Sequence, residues 1–269
     1  MSRFVSNIHA LAERCLFQPA VEDKLAATRV AWSDQENGRL DLTSHGVVRP
    51  IADAAFPERP LRVDPRQVPQ RKLTTLEGRV ALLHALAHIE FTAIQLAWDI
   101  LYRFRDMPDQ FRIDWLGVAE EEGRHFDMLR QRLRELGADY GDLPAHGGLW
   151  QVATDTQDDV LARLALVPRC MEARGLDVTP AMIEKLERVG DQASADHLKI
   201  ILRDEVGHVT LGSRWFHWEC RRRGVEPEDA YFGLLRRHLK GGLRGPFNRE
   251  ARLAAGFSER ELSVLDQQG

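Results

Sequence analysis

The chain has 269 residues, 43% hydrophobic and 29% charged, the composition of a globular protein, and no Gly/Ser- or Pro-rich linker divides it into equal halves. A formal net charge of -4 removes the electrostatic reason to expect nucleic acid or an anionic membrane as the main partner. The opening MSRFVSNIHALAERCLF lacks an apolar stretch with a small-residue cleavage site, and no run of about 18 apolar residues occurs; the expectation is a soluble, cytoplasmic protein.

In chain order, two short amphipathic segments lie near 3–17 and 20–32. Pro50, Pro57, Pro60, Pro65 and Pro69 follow, too dense for helix or sheet, and predict an extended strap over the main body. From Thr74 the pattern changes: Leu, Ala and Ile recur at helical spacing over 75–105, and Pro108 suits the first position of a second helix that runs to Leu136 and stops at Gly137. ADYGDLPAHGGLW reads as a loop. Thr156 is a candidate cap for a third helix over 157–174, ended by Gly175, and Thr179-Pro180 opens a short helix ending at Gly190. Asp191 caps a fourth long helix that closes at Gly224, and Ser258-Glu259-Arg260-Glu261 is a capping box near the end of the chain. Strand signals are nearly absent, so the class is all-α with four long helices. The expected organisation is helices and strap over 1–73, a helical bundle over 74–224 and a helical extension over 225–269. Cys15, Cys170 and Cys220, without CxxC spacing, are expected as buried thiols.

The chemistry lies in carboxylates and histidines. One Glu-x-x-His carries little weight, since chance supplies roughly 0.7 such pairs in a chain of this composition. Here there are two on long helices, Glu122 with His125 and Glu205 with His208, and in each the side chains share a helix face. Taken alone, each is an ordinary solvated charged turn. The other two long helices each offer a glutamate, Glu90 and Glu172; Glu90 shares its face with Leu83, Ala93, Ile94 and Ala97, where a core residue belongs. The spacings repeat: 32 residues from Glu90 to Glu122, 33 from Glu172 to Glu205. A duplicated helix pair explains this. One glutamate from each of two helices and Glu-x-x-His from each of two others is the ligand set of dinuclear carboxylate bundles. Four buried carboxylates repel one another and lose hydration, whereas two divalent cations cancel their charge. Oxygen and imidazole donors without thiolate suit iron or manganese. Glu121 and Asp204 are candidates to accept the free N–H of the ligating imidazoles.

Other residues are open to blander readings. His84 and His88 are four apart, but His88 points away from the Glu90 face, which favours packing or hydrogen bonding. His146 sits in the loop, able to reach a site mouth but better suited to loop packing. Pro168, four residues before Glu172, should open or kink its helix. Gly207 and Gly212 flank His208 on the fourth helix and are small enough to admit a neighbouring helix, or oxygen.

HALAHIE, EEEGRHF, YGDLPAHGGLW, ALVPRCMEARGLDVTP and ILRDEVGHV with its following RWF resemble the blocks of a bacterial ferritin-like family of unknown function. The resemblance covers most of the chain and implies a ferritin-like four-helix bundle with a dinuclear site. More distantly, MEARG and EEEGRHF are similar to segments of the bacterial tRNA hydroxylase that modifies a methylthio-isopentenyl adenosine, which implies oxygen-dependent hydroxylation; the low net charge lends no support to tRNA as substrate. Storage ferritins generally lack a second complete Glu-x-x-His. Ribonucleotide reductase small subunits resemble the ligand order, but Leu129 stands where their radical tyrosine is expected, and rubrerythrins carry a cysteine-rich module missing here.

The expectation is a di-iron oxidoreductase, with manganese or a mixed manganese–iron pair as alternatives: Glu90, Glu122 and His125 hold one ion, and Glu172, Glu205 and His208 the other. Dioxygen, an electron donor and a small organic substrate to be hydroxylated or desaturated are its partners; a homodimer is compatible, a membrane is not expected. A di-manganese catalase or peroxidase, and a non-enzymatic iron-binding or stress protein, are the rival readings.

Overall fold

A computed structural model of the chain describes residues 6–43, 48–49, 51, 53–68, 71–239 and 242–268. Pro50 and Pro69 of the strap lie outside the described residues. The described chain is mostly helical, and it divides into two compact units, Met1–Thr154 and Asp155–Gly269.

Unit 1 is built on two long helices, α3 (Leu76–Arg103) and α4 (Asp109–Glu135), preceded by α1 (Ile8–Phe17) and α2 (Val21–Glu36) and followed by α5 (Gly148–Asp155). Thr75 starts α3, its side chain accepting from the Gly78 amide. Pro108 occupies the cap of α4 rather than its first turn. Leu136 ends α4, and Gly137 takes the left-handed conformation at φ 82°. Residues 104–108 join α3 and α4 tightly, so the two pack as a hairpin, with α1 against α3 and α2 against α4. The described strap residues are irregular apart from one 3₁₀ turn, Pro65–Gln67, capped by Asp64. The strap is tied down by Ala55 N–H to the Leu16 carbonyl and by exchanges of Leu61 and Val63 with Ala145. Two-residue strands, β1 (Ser6–Asn7) and β2 (Leu40–Asp41), pair in parallel.

By length and composition α3 could cross a membrane, but 67% of its most apolar window is buried inside the protein. Most of its apolar surface, including Phe91, Ile94 and Trp98, is core, and Leu76 and Ile89 are exposed.

Unit 2 departs from the expected boundaries. The third long helix is not one α-helix over 157–174: α6 (Val160–Leu166) passes into a π-helical turn, Val167–Glu172, and then into α7 (Ala173–Arg188). Asp159, not Thr156, caps α6, accepting from the Leu161 amide; Thr156 Oγ1 instead accepts from Arg163 Nε at 2.8 Å. Nor does the chain break at Gly175 or restart at Thr179. Pro180 lies inside α7, where its missing N–H strands the Leu176 carbonyl one turn back. Asn248 Nδ2 donates to that carbonyl at 3.2 Å, so the helix continues. The expected effect of Pro168 is realised as the π-helical turn.

Asp191 caps α8 (Gln192–Arg223), accepting from the Ser194 amide, and Gly224 closes it at φ 66°. The C-terminal helices are α9 (Pro227–His238), α10 (Arg249–Ala254) and α11 (Glu259–Gln268). Ser258 and Glu261 form the expected capping box: Ser258 Oγ accepts from Glu261 N at 3.0 Å and Glu261 Oε2 from Ser258 N at 2.8 Å. Cys15, Cys170 and Cys220 are buried free thiols.

Of the two glycines near His208, only Gly212 faces a close neighbour. A Cβ there would stand 2.3 Å from Pro168 Cβ, whereas one on Gly207 would meet nothing within 4 Å. Gly212→Ala is therefore expected to push α8 off the π-helical turn and cost about 1–3 kcal/mol, read as a lower urea midpoint, whereas Gly207→Ala, exposed and inside α8, should raise the midpoint through helix propensity, a gain of about 0.5–1 kcal/mol. Equal midpoints for the two variants would contradict the close packing.

Candidate metal centre

In unit 1 three acidic or imidazole side chains converge inside the α3–α4 hairpin. Glu90 lies mid-α3, and Glu122 and His125 lie one turn apart on α4; all three are buried. One donor atom from each lies within 4.8 Å of the others. His125 Nδ1 stands 3.3 Å from Glu90 Oε2 and 3.6 Å from Glu122 Oε2. Phe91 and Phe126, next in sequence to Glu90 and His125, are fully buried with ring centroids 5.5 Å apart.

This arrangement is electrostatically costly without a cation. Burial first, then the Glu122 charge, hold the Glu90 carboxyl well above the usual carboxylate range, with His125 opposing. For His125 burial disfavours the charged ring, but hydrogen bonding and charge from Glu122 and Glu90 outweigh it and push its pKa up to about 11. The metal-free cluster therefore holds protons where a cation would sit.

In unit 2, Glu205 and His208 meet on α8, His208 Nδ1 3.3 Å from Glu205 Oε1. His208 is buried and Glu205 half-buried. Glu172 ends the π-helical turn, half-buried. The tight three-donor convergence of unit 1 is not matched by Glu172, Glu205 and His208 among the described residues.

Glu121 pairs with Arg124 at 3.4 Å toward the exposed side of α4, and Asp204 pairs with Arg203 at 2.8 Å on α8. His84, His88 and His146 have hydrogen-bonding roles. His84 Nε2 accepts from Gly141 N at 2.9 Å, and its ring stacks on Tyr140. His88 Nδ1 lies 2.9 Å from Tyr140 Oη, and burial, then neighbouring His84 and His146, lowers its pKa to about 4. His146 Nδ1 accepts from Gly148 N at 3.3 Å within the loop. Tyr140 joins this group to Phe126, 5.0 Å between centroids, an aromatic connection that sequence reading missed because nothing in YGDLPAHGGLW fixes which ring it meets.

Fold and cluster together define a mostly helical protein with a buried carboxylate–imidazole group able to hold a metal ion. The chain belongs to the family described as protein of unknown function (DUF455), which matches residues 17–263. It is similar to an uncharacterized protein of Haemophilus influenzae, 46% identical over 219 residues that cover 79% of this chain and 76% of that protein. No solved structure matches the chain.

Proposed function

We propose that the protein binds two metal ions, iron first among them, in a ferritin-like four-helix bundle and acts as an oxygen-dependent oxidoreductase that hydroxylates or desaturates a small organic substrate. The observation that carries the reading is the buried convergence of Glu90, Glu122 and His125. The donors fit: hard oxygen and imidazole ligands suit iron or manganese, and a divalent cation removes the repulsion that now keeps protons on the cluster. The repeated spacing supports a second ion, which Glu172, Glu205 and His208 would hold.

When bound, such an ion pair supplies the electrons that reduce dioxygen, and an external electron donor restores them. The chain's own contribution is positional. Glu90 and Glu122 both approach His125 Nδ1 and so orient its ring, and the burial of all three side chains keeps bulk water from the cluster. The cytoplasm and a homodimer are compatible with this reading, and no nucleic acid or membrane partner is needed.

Metal identity and stoichiometry in protein purified from its own host provide the test. Two iron ions per chain are expected, falling to about one in Glu205→Ala/His208→Ala. Retention of both ions by that double variant would refute the assignment of the second site. Bound manganese with rapid oxygen release from peroxide would turn the reading to a catalase. A reduced protein inert to oxygen would turn it to iron sequestration.

A further inference from the structure

Unit 2 contains a second buried charged cluster, built on the same π-helical turn that ends in Glu172. Arg169, three residues before Glu172, is fully buried. Its Nε donates to Ser213 Oγ on α8 at 3.1 Å, and its Nη2 donates to both carboxylate oxygens of Glu261 on α11, at 2.9 and 3.0 Å. The guanidinium lies 4.5 to 4.7 Å from the ring centroids of Phe216, Tyr231 and Phe257. Tyr231 on α9 donates its hydroxyl to the Arg169 carbonyl at 2.9 Å. Helices α8, α9 and α11 thus all grip one residue of the turn.

The turn needs such support. A π-helical turn is a rare form of helix, and Pro168 deprives it of one backbone donor. On its other side it is fixed by the Pro168 ring against Gly212. Glu261 is itself immobilised, because the same Oε2 that receives Arg169 also caps Ser258 N. With Nη2 centred on both oxygens of Glu261 and Nε on Ser213, the planar guanidinium is fixed in direction as well as distance, and with both charged members buried neither tolerates loss of the other.

We propose that Arg169 and Glu261 are positioning residues for Glu172: helix α11, through this ion pair, holds the π-helical turn at the register that presents the Glu172 carboxylate to a metal. The C-terminal helices are then part of the unit 2 donor site rather than an appendage. This inference rests on the reading of Glu172 as a ligand.

Full-length wild type, Glu261→Gln and a control, Leu186→Val, are compared. Glu261→Gln keeps the capping geometry and removes the charge facing Arg169; Leu186→Val trims a buried side chain near the far end of α7. Hydrogen exchange over 167–172 is measured in metal-free protein, and cobalt(II) uptake is followed by its d–d absorption. Glu261→Gln is expected to speed exchange in that segment roughly tenfold, to weaken one of two cobalt equivalents by about tenfold to a hundredfold, and to shift that equivalent's band while the other is untouched. Leu186→Val is expected to lower the melting temperature without either local effect. Wild-type cobalt binding and spectrum in Glu261→Gln, or the same changes in the control, overturn the proposal. If wild type takes up no cobalt, the metal reading falls, and the exchange measurement alone judges the clamp: faster local exchange upholds it, unchanged exchange overturns it. Arg169→Lys, which keeps a cation but loses the planar group that reaches Ser213 and Glu261 together, is expected to give the same local signature and replaces Glu261→Gln if that variant does not fold.

Discussion

Asp177→Ala is expected to destabilise the protein by roughly 3–5 kcal/mol, a large share of the 5–15 kcal/mol that typically separates folded from unfolded chains. Asp177 and Arg252 are both fully buried at the side chain, and Arg252 reaches Asp177 with two hydrogen bonds, Nε to Oδ1 at 2.9 Å and Nη2 to Oδ2 at 2.7 Å. Asp177 Oδ1 also accepts from Asn248 N at 2.9 Å, in the residue whose side chain satisfies the carbonyl left open by Pro180. Removing the carboxylate strands the Arg252 cation between Phe247 and Phe257 and loosens the start of α10 together with the middle of α7. Removing both charges in Asp177→Leu/Arg252→Met should cost much less than the sum of the single changes, because no unpaired charge stays buried. Urea unfolding of wild type, Asp177→Ala, Asp177→Leu, Arg252→Met and the double variant checks this. Additive single-variant losses would show that the pair is not coupled.

That contact also shows where sequence reading stops. Long helices were legible because their signals are local: apolar spacing in α3, the left-handed stops at Gly137 and Gly224, the Asp191 cap and the Ser258–Glu261 box. Gly175 and Pro180 carry equally local break signals, yet α7 runs through both because Asn248 and Arg252, some seventy residues later, complete it. Gly147 and Gly148 hid the start of α5, whose Trp150 and Ala153 are drawn into the core. The buried group of unit 1 was legible for a different reason. A glutamate on an apolar stripe conflicts with its surroundings unless something compensates it, and Glu90 is indeed buried against His125. Arg169 gave no comparable signal, since its partner Glu261 looked fully explained as a helix cap.

The unit 1 cluster should make metal uptake strongly pH-dependent, with affinity rising about tenfold per pH unit for each proton displaced. The sign follows from the two groups. His125 has its folded pKa raised to about 11 by the surrounding carboxylates; its contribution to stability is complete below its unfolded value of about 6.5 and is lost as pH climbs toward 11. Glu90 is held above the carboxylate range by burial and by Glu122, so ionising it in the folded state grows costly as pH rises past about 4.3. Both groups therefore favour protons in the metal-free fold, and that fold weakens toward alkaline pH. A cation entering between Glu90, Glu122 and His125 must expel those protons, and higher pH lowers that cost. Anaerobic iron(II) titrations at about pH 6 and about pH 7.5 are expected to show the steep gain in affinity, and the rise in melting temperature on metal addition should widen in parallel. In Glu122→Gln one of the carboxylates that sustain the His125 proton is gone, so the pH slope should flatten while the affinity itself drops. An affinity flat across that pH interval in wild type, or a metal-free protein that gains stability as pH rises, would mean that the protons on this cluster do not compete with a metal.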